Sequence, residues 1–242
     1  MKPPPSPVKP EAAPGGAAAV DRALSLLCAF RSGDDVLSLA ELAQRTGLYK
    51  STALRLLASL EHAGLVHKLE SGGYALGGEV ARLAAIHSAS FSLDRVVLPV
   101  LRQLVATTGE SAAYHVRQGD ARLCLFRVDS PHPIRDHIRA GDLLPLARGS
   151  GGRVLSAFDP ELSKAAPARD RRVLAQIREQ GYYASVGDRL AEVAGIAAPV
   201  FHADGSIAAS LTLTMPAHRY DERYVKLVLE AARNLCKLSL RA

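Results

Sequence analysis

The side chains best placed to do chemistry in this sequence are Lys50, Ser51, Thr52 and, one helical turn on, Arg55. Hydroxyls and a cation at a helix N-terminus hold phosphate, because the first N–H groups of a helix have no intrahelical partner and attract anions. A guanidinium one turn further on can donate two hydrogen bonds to O6 and N7 of a guanine, a contact that discriminates between bases by about 1–3 kcal/mol. The implied chemistry is the reading of double-stranded DNA, with Lys50, His67 and Lys68 touching phosphates that fix position without reporting sequence. A second group is the turn Arg148-Gly149-Ser150-Gly151-Gly152, whose backbone can approach a ligand closely and whose Ser150 and Gly151 can cradle a carboxylate.

Catalysis has no such footing. Ser150 lies outside a G-x-S-x-G context, and the 8 histidines, among them His115, His132, His137, His202 and His218, show no H-x-x-x-H spacing. Cys28, Cys124 and Cys236 are odd in number and far apart, so neither a disulfide frame nor a CxxC site is expected. The expectation is a protein that is not an enzyme, with no cofactor and no metal, whose thiols are buried as small hydrophobes.

Elements able to position the first group are legible from periodicity. Val20, Ala23, Leu24, Leu27 and Cys28 follow helical spacing, and Ser38 to Glu41 forms a capping box for a short helix that ends at Gly47. Ser51 and Thr52 open a third helix through His62. Its Ala53, Leu56, Leu57, Leu60 and Gly64 share one side, while Ser51, Arg55, Ala58 and His62 lie opposite. Two short helices joined by a tight Gly-containing turn form a helix-turn-helix, and the strand-like runs Leu65–Leu69 and Tyr74–Leu76 around Gly72-Gly73 supply a wing. Helices over 79–90 and 93–108 follow, the second carrying Pro99. Beyond Gly109 come strands 111–117 and 121–128, an edge strand at 134–139, helices at 153–158 and 170–180, strands 194–201 and 207–215, and a helix over 221–240. That order predicts an α+β class: an N-terminal winged helix-turn-helix, a linker helix, and a C-terminal domain around a mostly antiparallel sheet. Thr212 and Thr214, two apart on a strand, face the same way.

Composition agrees with an ordinary globular chain of 242 residues, 48% hydrophobic and 22% charged, long enough for two domains. The expected division is a flexible tail over 1–18, the DNA-binding domain over 19–77, the linker helix over 78–92 and the second domain over 93–242. The net charge of +6 does not concentrate on the first domain: residues 1–77 carry 8 Lys and Arg against 7 Asp and Glu. A nearly neutral reader needs two or more copies on a symmetric site for useful affinity. The longest stretch free of Asp, Glu, Lys and Arg, Gly205 to His218, is shorter than the roughly 20 apolar residues that span a bilayer. The opening MKPPPSPVKP is not followed by the apolar core of a secretory signal. The expected location is cytoplasmic, away from membranes.

Several segments, taken together and in order, resemble IclR-type bacterial transcription regulators. They are Asp21-Arg22-Ala23-Leu24, Leu39-Ala40-Glu41-Leu42-Ala43, Thr46-Gly47-Leu48, Lys50-Ser51-Thr52, Arg55-Leu56-Leu57 and Tyr74 with Leu76-Gly77. Downstream, Pro99-Val100-Leu101, Thr108-Gly109-Glu110, Leu144-Pro145-Leu146 and Ile196-Ala197-Ala198-Pro199-Val200-Phe201 with Asp204-Gly205 continue the match over residues 20–235. The resemblance implies a DNA-binding winged helix with Arg22 among its contacts, a GAF-like effector-binding domain, and assembly as a homodimer or dimer of dimers. It also implies an effector site formed by the Arg148–Gly152 turn, an opposite wall of Val193, Gly195, Thr212 and Thr214, and Ser185 or Asp188 on a covering loop. Arg148 stands where the family commonly has a small residue, and a cation beside the turn points to a small carboxylic acid, aromatic acids included. Two departures are visible: Gly152-Arg153 where the family has Gly-Lys, and Leu54, placed to meet a thymine methyl, where the family often has a polar residue.

The resulting expectation is a ligand-responsive transcriptional regulator, repressor or activator, acting on a palindromic or repeated operator. The competing expectations are a hydrolase-like ligand-binding protein and a protein-interaction module that does not bind DNA. The interaction module leaves Lys50, Ser51 and Arg55 without a role.

Overall fold

The structure, a computed structural model, describes residues 13–91 and 93–239, with the backbone alone described for 87–91 and 238–239. Residues 1–12 of the expected tail lie outside the described residues. The chain divides into two compact units, Met1–Phe91 and Ser92–Ala242.

The first unit contains α1 (Ala18–Cys28), α2 (Leu39–Thr46), α3 (Lys50–His62), β1 (Val66–Lys68), β2 (Tyr74–Leu76) and α4 (Gly78–Phe91). Helix α2 starts at the expected capping box, with the Ser38 hydroxyl accepting from the Glu41 N–H and the Glu41 carboxylate accepting from the Ser38 N–H at 2.8 Å. It stops at Gly47, whose φ of 66° is a left-handed conformation that only glycine adopts cheaply. Leu26, Leu42 and Leu57 are fully buried and hold the three helices together, with Ala53, Leu60, Val66 and Tyr74 completing the core. Strands β1 and β2 form the antiparallel wing, with Val66 opposite Leu76. Leu37 exchanges two 2.8 Å backbone hydrogen bonds with Tyr74, so the wing is stitched to the segment that enters α2. One expectation fails: Cys28 is exposed, because it falls at the end of α1 on the side away from Leu26.

The second unit contains α5 (Leu93–Thr108), β3 (Ser111–Gln118), β4 (Ala121–Val128), β5 (Leu143–Pro145), α6 (Ser150–Phe158), α7 (Pro160–Ala165), α8 (Ala168–Gln180), β6 (Tyr183–Val186), β7 (Val193–Phe201), β8 (Ile207–Pro216) and α9 (Tyr224–Ser239). All the strands form one antiparallel sheet in the order β5-β4-β3-β8-β7-β6. The edge strand is 143–145, not 134–139. Residues 134–139 are instead held by side chains: Asp136 pairs with Arg127, and Arg219 donates to the Ile134 carbonyl while also gripping Glu110 at 2.6 and 2.8 Å. Helix α6 begins three residues earlier than its apolar pattern suggests, because Ser150, Gly151 and Gly152 are all buried in its first turn.

Period-two alternation gives the two faces of this sheet different chemistry. Ala112, Tyr114, Ile196, Ala198, Leu211, Leu213 and Met215 lie on the face that packs against α5 and α9 and form the largest core. The opposite face carries Ser111 and His115 on β3, Arg122 and Arg127 on β4, and Ser210, Thr212 and Thr214 on β8. Among these, His115, Ser111, Ser210, Arg122 and Thr212 are at most 2% exposed. A buried polar face of this kind is costly unless something satisfies it.

Candidate functional sites

Helix α3 separates its two sides as the angular analysis expects. Ala53, Leu57 and Leu60 are buried, whereas Lys50, Ser51, Leu54, Arg55, Ala58 and His62 are exposed. The helix starts at Lys50 with Tyr49 as its cap, so Ser51 is not the capping residue and its hydroxyl is free for another partner. No side chain caps the first turn and no acidic residue lies in it, which leaves its N–H groups and its positive dipole end open. On the wing, His67 and Lys68 are exposed, as is Arg22 on α1. Tyr49, 83% exposed, adds an aromatic ring at the start of α3 that helical periodicity could not single out, since it belongs to the turn.

In the second unit the turn at 149–152 meets the polar face of the sheet. Ser150 donates to the Gly195 carbonyl at 2.6 Å and its hydroxyl lies 3.1 Å from that of Ser185. The Gly149 N–H donates to Asp188 at 2.6 Å, and Arg153 bridges Asp188 to Asp170. Gly151 has no room for a side chain: a Cβ there would lie 2.7 Å from Thr212 Oγ1, 3.0 Å from Ser210 Oγ and closer still to the Arg122 guanidinium. Three polar side chains from β4 and β8 therefore converge on the first turn of α6. A cavity of about 450 Å³ lies in the same unit, lined by Ile138, Leu144, Leu190, Val193 and Pro216 with Asp136, Arg189, Glu192 and His218.

A family model described as the IclR helix-turn-helix domain matches residues 19–70, and one described as Bacterial transcriptional regulator IclR C-terminal matches residues 164–237. The HTH-type transcriptional regulator BhcR of Paracoccus denitrificans is 31% identical, over 91% of this chain and 87% of that protein. The chain belongs to the IclR family. The glycerol operon regulatory protein of Streptomyces coelicolor is another relative, 30% identical over 75% of this chain and 78% of its own. Among solved structures, an IclR homologue from Microbacterium hydrocarbonoxydans complexed with 4-hydroxybenzoate superposes with a TM-score of 0.81. It covers 93% of this chain and all of its own at 24% identity, a likeness of fold.

This IclR-family chain is thus a DNA-binding transcriptional regulator, and its expected site residues can be placed one by one. Ser150, Gly151, Gly195, Thr212, Thr214 and Ser185 come together around the start of α6. Val193 lines the cavity. Asp188 is already engaged, holding the turn through the Gly149 N–H. Arg148 does not join them: its side chain is exposed, while Gly149 and Ser150 beside it turn inward. The cation beside the turn is Arg122, which sequence reasoning missed because the arginines of β4, at 122 and 127, carry no signal of which face they take.

His115 shows how the surroundings act on a titratable group. It is fully buried, lies 3.3 Å from Thr212 Oγ1 through Nδ1, and leaves Nε2 without a partner among the described residues. Burial, and then the positive charges of Arg122, Arg127 and Arg189, hold its pKa well below the ordinary histidine value, so the folded protein keeps it neutral. The unfolded chain takes up that proton near pH 6.5, so this contribution to stability is complete above that value and is lost as the pH falls. Unfolding free energy should drop by up to about 1.4 kcal/mol per pH unit below about pH 6.5. Urea titrations at pH 7.5, 6.5 and 5.5 check this, with a shallower acid dependence expected in His115→Gln; equal slopes in both proteins would rule out the assignment.

Proposed function

We propose that the protein is a ligand-responsive regulator whose first unit reads a symmetric operator through α3 and whose second unit senses a small carboxylic acid. The observation that carries the DNA half is the division of α3 into a buried leucine side and an exposed side with Lys50, Ser51, Leu54 and Arg55. In this reading the open N-terminus of α3, with Lys50, Ser51 and Thr52, meets a phosphate; Arg55 reads a guanine; Leu54 packs on a thymine methyl; and His67, Lys68 and Arg22 contact the backbone. Homodimers or dimers of dimers supply the repeated contacts that a nearly neutral reader requires.

The acid half is supported by the convergence of hydroxyls and an arginine on the uncapped start of α6. It is supported also by the 4-hydroxybenzoate bound to the Microbacterium hydrocarbonoxydans homologue. A ligand changes DNA binding only through a difference in its affinity for two arrangements of the protein, so the acid must prefer one of them.

Binding to the DNA upstream of the protein's own coding region and to a random duplex, at several salt concentrations and with or without aromatic and aliphatic acids, tests both halves. Arg55→Ala should weaken operator binding by roughly 10- to 100-fold and random-duplex binding little, from the 1–3 kcal/mol expected of a bidentate guanine contact. Lys50→Ala and Lys68→Ala should weaken both alike and flatten the salt dependence. Equal losses for all three variants would contradict the division of roles.

A further inference from the structure

Among the described residues, Arg122 is buried with no counter-charge of its own. Its side chain belongs to a residue 2% exposed, and neither Nε nor Nη1 has a hydrogen-bond partner. The neighbouring carboxylates are committed elsewhere: Asp136 to Arg127 and Arg189, and Asp188 to Arg153 and the Gly149 N–H. The guanidinium lies along the first turn of α6, with Nη1 beside Gly151 and Nη2 beside Gly149. That turn has no side-chain cap, so its N–H groups make the local potential positive before any cation is added. Ser210 Oγ and Thr214 Oγ1 are buried and unpaired on the same face of the sheet. Burial lowers the Arg122 pKa to about 10, which leaves the group charged at neutral pH. The buried cation and the two unpaired hydroxyls lack the same thing, an anion, while Asp188 already occupies the Gly149 N–H at the helix start.

We propose that Arg122 is the anchoring cation of the effector site and selects monocarboxylic acids. This rests on the effector reading above and adds to it the residue that supplies the charge and the kind of acid accepted. Arg189 marks the way in, since it lines the 450 Å³ cavity and packs beside Arg122 over Gly149. A carboxylate entering past Arg189 meets Arg122 once the guanidinium swings off Gly151, and the rest of the molecule stays in that cavity, against Ile138, Leu144 and Val193. Asp142 and Glu192 also line it, and they repel a second carboxylate while accepting a hydrogen bond from a hydroxyl, whereas the lining cations Arg135 and Arg189 face Asp129 and Asp136. The acceptable ligand is therefore a compact acid with one negative end and an apolar or hydroxylated body.

The full-length chain, Arg122→Met, Arg122→Lys and Arg148→Ala are compared by calorimetric titration and thermal shift. The probes are benzoate, 4-hydroxybenzoate and pyruvate, with benzamide and 4-hydroxybenzamide as uncharged counterparts and terephthalate as a dianion, all at fixed ionic strength. The wild type should respond to at least one monocarboxylate and to neither amide nor dianion. Arg122→Met should bind that acid roughly 10- to 100-fold more weakly, as expected for loss of charge-assisted hydrogen bonds, and Arg148→Ala should bind it unchanged. If Arg122→Met does not fold, Arg122→Lys decides, with a tenfold loss supporting the anchor and undiminished affinity overturning it. Full acid binding by Arg122→Met overturns the anchor while leaving the effector reading intact, and equal binding of terephthalate overturns the selection of monoacids. A wild type that no carboxylate stabilises overturns the effector reading, and this inference with it.

Discussion

Gly77→Ala should weaken DNA binding steeply while leaving the folding of the second unit in place. Gly77 joins the wing to α4 and lies directly over the end of α3's connecting turn. A Cβ on it would fall inside contact with the Gly64 carbonyl oxygen, 2.8 Å from the Gly64 carbonyl carbon and 3.0 Å from that of Leu65. Those atoms are backbone, and they are pinned, because the Gly77 N–H donates to Leu65 at 2.8 Å and the Glu79 N–H to Gly64 at 3.1 Å. Overpacking against fixed atoms costs typically about 1–3 kcal/mol and more when the neighbours cannot give. A unit of fewer than a hundred residues, at roughly 0.05–0.15 kcal/mol per residue, has about 4–14 kcal/mol in all, so a clash with pinned backbone removes a large share of it and displaces the wing. Two separate melting transitions are expected, the first lowered steeply and the second unmoved. Wild-type operator affinity in Gly77→Ala would show that the wing tolerates the methyl group and that this junction is not rigid.

Asp136→Ala should be the most damaging single change in the second unit. The Arg127 and Asp136 side chains are 4% and 1% exposed and pair directly. Asp136 also faces Arg189 at 3.7 Å, so its carboxylate is shared between two guanidinium groups. Arg127 retains Asp129, but that residue is half exposed and a weaker counter-charge. Removing one member of a buried pair typically costs about 3–5 kcal/mol, since the other charge stays buried without it. At about 2–4 °C per kcal/mol for a domain of this size, the melting temperature should fall by roughly 10 °C. The double replacement Arg127→Met with Asp136→Leu should recover most of the loss, because it removes the stranded charge together with its partner. A single variant within 1 °C of wild type would show that solvent reaches Arg127, contrary to its burial.

The first unit was almost fully legible in the sequence, because local signals there agree with one another. The capping box at Ser38, the glycine stop at Gly47, the leucine side of α3 and the double-glycine turn of the wing each specify one element and its neighbour. In the second unit, long apolar strands and helices were also visible, but β5 and β6, at three and four residues, lack enough alternation to be seen. The 134–139 segment resembles a strand because Ile134 and Ile138 flank polar residues, whereas an ion pair to the preceding strand β4 holds it. The site divided in the same way. Its glycine turn and the Thr212–Thr214 pair could be read from local spacing, while Arg122 and His115 become neighbours of that turn only through pairing of β4 with β3 and of β3 with β8. A bulge between Tyr114 and His115 shifts the β3–β4 register at that point, and no short stretch of sequence announces it.

The segregation of the sheet's two sides bears on how such sensors diversify. The polar residues proposed to choose a ligand alternate, one for one, with residues such as Leu211, Leu213 and Ile196 that hold α5 and α9 in place. On that reading, a substitution at Ser210, Thr212 or Thr214 of β8 alters taste without loosening the scaffold, and one at Leu211, Leu213 or Met215 does the reverse. Descendants of a common ancestor can therefore wander across metabolites while their architecture stands still.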